Sequence, residues 1–218
     1  MTLTLVIGNK NYSSWSMRPW LALKASGIAF EERFIPLYTG AADKQRILDV
    51  TPAGKVPALI DGDVTVWDSL AIIEYLAERF PEAGLWPANA ACRAHARSIS
   101  AEMHSGFAAL RSECGMNLHR PVGAKALSDN AGADIARIQE LWTDCRQQYA
   151  KAGPFLFGSF SAADAMYGPV VHRFRTYAIV VTPPVWAYMD AMMSLPAFQQ
   201  WTEQGLAETR VIEKLEAD

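Results

Sequence analysis

The sequence predicts an α/β plus all-α protein: a mixed-sheet domain over residues 1–80, a linker over 81–89 and an all-helical domain over 90–218. Three observations carry this reading. Residues 3–7 form a short apolar, β-branched run; Asp61-Gly62 joins two further strand-like runs as a hairpin; and alanine-rich helical patterning takes over after a stretch bearing Pro81, Gly84 and Pro87. Taken in order, Leu3 to Ile7 ends at Gly8-Asn9 and reads as a buried strand. Trp20 to Ala25 reads as a helix stopped at Gly27, and Pro19, tolerated without loss only in a first turn, sets its start near Ser16. Ala29 to Ile35 is a second strand, and Ala42 to Leu48 a short helix closed by Thr51-Pro52-Ala53-Gly54. Pro57 to Ile60 and Val64 to Trp67 are the hairpin strands. Asp68 to Phe80 then places Leu70, Ile73, Tyr75, Leu76 and Ala77 at near-helical spacing, with Pro81 beyond its end. The order is βαβαββα, and its antiparallel last pair makes the sheet mixed. Past the linker, helices are expected over about 90–115, 128–152, 162–177, 184–194 and 196–207, a bundle without strands of comparable strength.

Half of the 218 residues are hydrophobic, a fifth are charged and the net charge is −3, the balance of a globular protein with a sizeable core. Without a basic tract, nucleic acid is not expected as a partner. There is no 18-residue apolar run, so no membrane span is expected, and the N-terminus is too short and uncharged for a signal peptide. Cys92, Cys114 and Cys145 are odd in number and widely spaced, which fits neither a disulfide framework nor a zinc site and points to a reducing, cytoplasmic location. The four histidines show no ligand spacing, and no metal is expected.

Three segments carry chemistry. In Lys55-Val56-Pro57 the proline cannot donate to a ladder and belongs at a strand start or edge, where an extended backbone can pair with a peptide. Asp68-Ser69 opens an amphipathic helix; one of them is an N-cap, and the same helix end offers donors to an anion. The loop Asn9 to Arg18 holds Ser13 and Ser14 just ahead of a helix N-terminus. A hydroxyl there can donate to a thiol sulfur and hold its pKa below the free value of about 8.5. In the second half, Ser161 and Asp164 have the spacing of a capping box, read as structural.

Taken together, Lys55-Val56-Pro57, Asp68-Ser69-Leu70-Ala71-Ile72-Ile73-Glu74-Tyr75-Leu76 and the stretch Gly158 to Asp164 resemble the cytosolic glutathione transferases of serine type, particularly the zeta and tau classes, over nearly the whole chain. That resemblance implies a thioredoxin-like first domain with a cis Val56–Pro57 bond, and glutathione as co-substrate. Val56 and Pro57 would meet its cysteinyl unit, Ser69 its γ-glutamyl carboxylate, Asp68 its ammonium and Lys55 its glycyl carboxylate, with Lys44 ranked below Lys55. Ser13 would stabilise the thiolate, with Ser14 and then Tyr12 as substitutes. Trp15 stands where the zeta pattern has cysteine, and no cysteine in this loop can support thiol–disulfide exchange. Tyr12, Met103, Phe107 and Arg175 are candidates for an electrophile site, joined by Met116 and Trp201 as apolar candidates. The implied reaction is conjugation of glutathione to small hydrophobic electrophiles. The alternatives are glutathione-dependent cis–trans isomerisation of a diacid such as maleylacetoacetate, which needs Arg173 or Arg175 in the pocket, and a non-catalytic binding protein of the same fold. The resemblance also implies a homodimer.

Overall fold

The computed structural model describes residues 2–38 and 40–216. Strands β1 (Leu3–Ile7), β2 (Phe30–Phe34), β3 (Ala58–Asp61) and β4 (Val64–Trp67) form one sheet in the order β2-β1-β3-β4. β1 runs parallel to β2 and antiparallel to β3, and β3–β4 is the expected hairpin, with Gly62 at φ 59°. The period of two divides β1 between two faces. Leu3, Leu5 and Ile7 join the main core with helices α1 (Ser14–Ala25) and α3 (Ser69–Arg79). Val6 turns the other way, into a small cluster with Ile35, Ala58 and Ile47 of α2 (Ala41–Leu48). The first domain is therefore the mixed-sheet α/β unit that the pattern predicted, with the thioredoxin-like fold that the resemblance implied.

The stretch expected as a linker is packed. Leu85 and Trp86 are buried, and Trp86 Nε1 donates to Glu74 of α3 at 3.0 Å. Beyond it come α4 (Ala90–Ser105), α5 (Ala108–Glu113), α6 (Asp129–Tyr149), α7 (Ala162–Thr176), α8 (Pro183–Met193) and α9 (Pro196–Leu206). None of the described helices is long and apolar enough to cross a membrane. Isolated bridges join Phe155 to Gly158 and Phe157 to Ser159 just before α7, and the capping box of Ser161 and Asp164 closes around the start of that helix. Ser161 N and Leu156 N both donate to the buried Asp164 carboxylate, at 2.8 and 3.0 Å.

Two expectations need correction. The helical stretch over 90–115 is two helices, because the chain breaks at Gly106 and Phe107, the latter left-handed at φ 57°. A Cβ at Gly106 would lie 2.8 Å from the Glu102 carbonyl oxygen, so only glycine lets the chain leave α4 there. Helix α1 starts at Ser14 and not near Ser16, leaving Pro19 inside it. The Trp15 carbonyl consequently has no amide partner four residues on.

The two domains meet chiefly through α1 against α7. Gly168 makes this approach close, since a Cβ there would fall 2.5 Å from Leu21 Cδ1. Of α7 only Arg175 is exposed. Because Leu21 meets Gly168 along these helices, the start of α1 is set beside the last turn of α7. That juxtaposition builds the site.

Candidate active site

A cleft of about 960 Å³ runs along the domain junction. The first domain lines it with residues 12–15, 36–38, 53–57 and 67–69, and Lys44 and Ile47 of α2 also face it; Arg111, Gly115, Met116, Arg173 and Leu215 close it from the other side. Tyr12, Ser13, Ser14, Lys55, Val56, Pro57, Asp68 and Ser69 are thus brought to one cavity from three separate segments. The Val56–Pro57 bond is cis. Met103, Phe107, Trp201 and Arg175 are not among the lining residues. The first three are spent on the core, and Arg175 is exposed. It sits two residues from Arg173, a turn of roughly 200° around a helix, so only one of the two can face the cleft.

Local structure explains the serines. The loop folds back through Ser13 N to Asn9 O at 2.7 Å, and Ser13 becomes the N-cap of α1, its Oγ accepting from Ser16 N at 3.3 Å. Ser13 Oγ also donates to Ser16 Oγ at 2.7 Å, and Ser16 Oγ accepts from Gly8 N at 3.2 Å. Ser14 differs: its Oγ accepts from Arg173 Nη2 at 3.2 Å. Tyr12 is engaged elsewhere. Its hydroxyl donates to the Glu216 carboxylate and accepts from Ile212 N, so the tail of the chain is latched across the loop; burial and Glu216 raise its pKa.

At the start of α3, Asp68 has φ 76°, a left-handed conformation that costs a non-glycine residue about 1–3 kcal/mol. Its Oδ1 accepts from Leu70 N and Ala71 N at 2.9 and 3.3 Å, and its Oδ2 lies 3.1 Å from His104 Nε2 of α4. Those two amides are therefore taken. An anion at this helix end would rely on Ser69, whose buried Oγ accepts from Arg18 Nη1 at 3.4 Å.

Sequence reasoning offered Arg173 as a pocket candidate but passed over Arg18 and Arg111, the other charges that surround these groups. Arg18 is buried, its guanidinium 4.3 Å from the Trp15 ring centroid and its Nε without a partner. Arg111 lies 5.0 Å from the centroid of the same ring and caps α4, donating from Nε and Nη2 to the Gly106 carbonyl and from Nη2 to that of His104. Arg173 is held by the carbonyls of Cys114 and Arg111. Among the described residues none of these three pairs with a carboxylate. Burial first, and then neighbouring arginines (Arg111 and Arg173 on Arg18, Arg111 on Arg173), lower the pKa of Arg18 to about 9 and of Arg173 to about 10. His104 is also lowered, by burial first and then by Arg18 and Arg111 against the pull of Asp68. Unpaired buried cations cost on the order of several kcal/mol, a cost that an anionic ligand offsets. One signal was available: Arg18 is four residues after Ser14, on the same helix face.

A thioredoxin-like domain and a helical domain thus meet at one cleft. Residues 12–79 match the glutathione S-transferase N-terminal domain model, and residues 90–203 match the glutathione S-transferase C-terminal domain model. The chain is 29% identical over 205 residues to glutathione S-transferase Z2 of Arabidopsis thaliana, covering 87% of this chain and 88% of that protein. It is 41% identical over 100 residues to a probable maleylacetoacetate isomerase of Caenorhabditis elegans, 45% of each chain. A glutathione transferase homolog from Burkholderia, crystallised with bound glutathione, superposes with a TM-score of 0.71 at 25% identity, over 95% of this chain and 100% of that one. The chain belongs to the glutathione S-transferase family.

Proposed function

We propose that this cleft binds glutathione and adds its thiolate to a small electrophile that carries an apolar body and a carboxylate. The observation that carries the reading is the pair of serines at the positive end of α1, facing arginines that have no carboxylate of their own. Bound glutathione supplies the nucleophilic sulfur. The chain's residues fit its other groups: Val56 offers its backbone beside the cis bond, Ser69 backed by Arg18 suits the γ-glutamyl carboxylate, Asp68 suits the ammonium, and Lys44 and Lys55 suit the glycyl carboxylate. A serine hydroxyl donating to the sulfur holds it as thiolate at neutral pH. Arg111 then orients the electrophile: Nε and Nη2 are fixed on the α4 carbonyls, and no described residue accepts from Nη1. The apolar walls are Trp15, Trp67 and Met116.

Isomerisation of an unsaturated diacid is the second reading, favoured because Arg173 lies at the cleft and Arg175 does not. The two differ in what becomes of glutathione, which conjugation consumes and isomerisation returns. Titrating the thiolate absorbance of bound glutathione against pH tests the shared step. A midpoint at or above that of free glutathione would end both readings. Arg111→Leu should raise KM for a carboxylate-bearing electrophile about 10- to 100-fold and leave a neutral one within about twofold. Equal effects on the two substrates would exclude the carboxylate.

A further inference from the structure

The two cleft serines are not equivalent, and the inequality rests on hydrogen-bond supply. Ser13 Oγ accepts from Ser16 N and gives its proton to Ser16 Oγ, which also receives Gly8 N–H. Turning that proton toward a ligand breaks a buried bond at the cap of α1. Ser14 Oγ already has a donor, Arg173 Nη2 at 3.2 Å, and no described residue takes its proton. Both Ser14 and Arg173 line the cleft.

We propose that Arg173 is a positioning residue that fixes and polarises the Ser14 hydroxyl, so that Ser14, and not Ser13, donates to the glutathione thiolate. The inference rests on the serine-assisted reading above and names the serine and its partner. Arg173 is well placed for this work. The carbonyls of Cys114 and Arg111 anchor Nη1, which aims Nη2 at Ser14, and both are carried by residues of the second domain. With no carboxylate paired to it, its charge is not cancelled locally. A hydroxyl whose oxygen accepts from a cation is a stronger donor, and a chain of such bonds strengthens cooperatively. No covalent bond to protein is involved. The S–H bond of glutathione breaks heterolytically, its proton passes to solvent, and the sulfur lone pair accepts from Ser14 Oγ–H. The close α1–α7 approach at Gly168 holds the two residues in register, which joins this chemistry to the domain interface.

The test is the thiolate titration of bound glutathione in single and double variants. Ser14→Ala should raise the midpoint by about one to two pH units, a 10- to 100-fold loss of thiolate at neutral pH, and Ser13→Ala by much less. Arg173→Gln should raise it by a similar amount in the native background and add nothing in Ser14→Ala. Arg173→Lys, which keeps a point charge without the planar fork, should fall between. If Ser14→Ala moves the midpoint and Arg173→Gln does not, or if the two effects add fully, the inference fails and the serine reading stands. If neither serine variant moves it, both fail. Should Arg173→Gln not fold, Ser14→Cys without glutathione gives an independent reading. The introduced thiol should be alkylated by iodoacetamide with a midpoint at least about one unit below the free value of about 8.5, and an ordinary midpoint overturns the proposal.

Discussion

Helix α7, which presents Arg173, also carries a buried histidine whose titration sets an acid limit on the fold. His172 stacks on Phe198 of α9 with centroids 4.3 Å apart. Thr202 Oγ1 gives its proton to Phe198 O at 2.8 Å, so in the 3.3 Å contact between His172 Nε2 and Thr202 Oγ1 the ring nitrogen is the donor. Burial, helped by Arg175, pushes its pKa down from 6.5 to about 3. Above pH 6.5 the ring is neutral in both folded and unfolded chains and contributes no pH dependence. As the pH falls below 6.5 only the unfolded chain takes up the proton, so stability is lost until the folded pKa is reached. At pH 5 the loss is RT ln(1 + 10^1.5), about 2 kcal/mol, and this value holds for any folded pKa below about 4. His172→Phe keeps the stack and removes the titration. It should cost under about 1.5 kcal/mol at pH 7.5, for one hydrogen bond whose acceptor remains satisfied. Urea denaturation at pH 7.5 and pH 5 measures the difference. The native protein should lose about 2 kcal/mol more than the variant between the two pH values. Asp164, pushed up to about 6 by burial, works in the opposite sense, gaining stability as the pH falls from about 6 toward 3.8; it is present in both proteins and cancels. Equal losses in the two proteins would refute a buried neutral His172.

Asp164→Ala removes the acceptor of two backbone amides and of Ser161 Oγ at once, and should cost about 3–5 kcal/mol by urea midpoint, more than an ordinary cap. A loss under about 1 kcal/mol would contradict the capping geometry. Tyr12→Phe should leave the thiolate titration of bound glutathione unchanged, because the hydroxyl serves Glu216 and Ile212, but it should speed tryptic cleavage at Arg210 and Lys214 by unlatching the tail. Gly168→Val should cost about 1–3 kcal/mol from overpacking against Leu21 and raise the thiolate midpoint by loosening Arg173 from Ser14. Gly132→Ala on α6, where an added Cβ meets nothing within 4 Å, should instead stabilise by about 0.5–1 kcal/mol in the same assay and leave the titration alone.

What could be read from sequence divides along physical lines. Features fixed by neighbours in the chain were legible: the Asp61-Gly62 hairpin, the Asp68 cap, the Ser161–Asp164 box, and the polar loop ahead of α1. Helix α4 ending at Gly106 was not, because alanine-rich patterning continues past the break, and the close Glu102 carbonyl that leaves no room for a Cβ at Gly106 appears only in the folded backbone. That break matters beyond topology, since it turns Arg111 back onto the end of α4 and so to the wall of the cleft. The Tyr12–Glu216 latch joins residues 204 positions apart, and no local pattern announces it.

The same division explains why the serines were found and their electrostatics were not. Sequence reasoning gave Arg18 and Arg111 no role at the site and named Arg173 only as one of two arginines for a diacid, because a solvated arginine needs no partner. Their meaning changes only when α1 closes on α7 and the α4 break delivers the third. A guanidinium near Ser69, another near Ser14 and a third on the Trp15 ring then gather at one junction, where burial lowers all three pKa values, Arg111 and Arg173 lower that of Arg18, and Arg111 lowers that of Arg173. Such an arrangement lowers stability unless something negative enters it. The fold tolerates that cost because each cation is hydrogen-bonded to carbonyl or hydroxyl oxygen, which satisfies part of its donor set without cancelling its charge, while Arg18 Nε keeps no partner among the described residues. A carboxylate partner would have stabilised the free protein more and left less field for a thiolate.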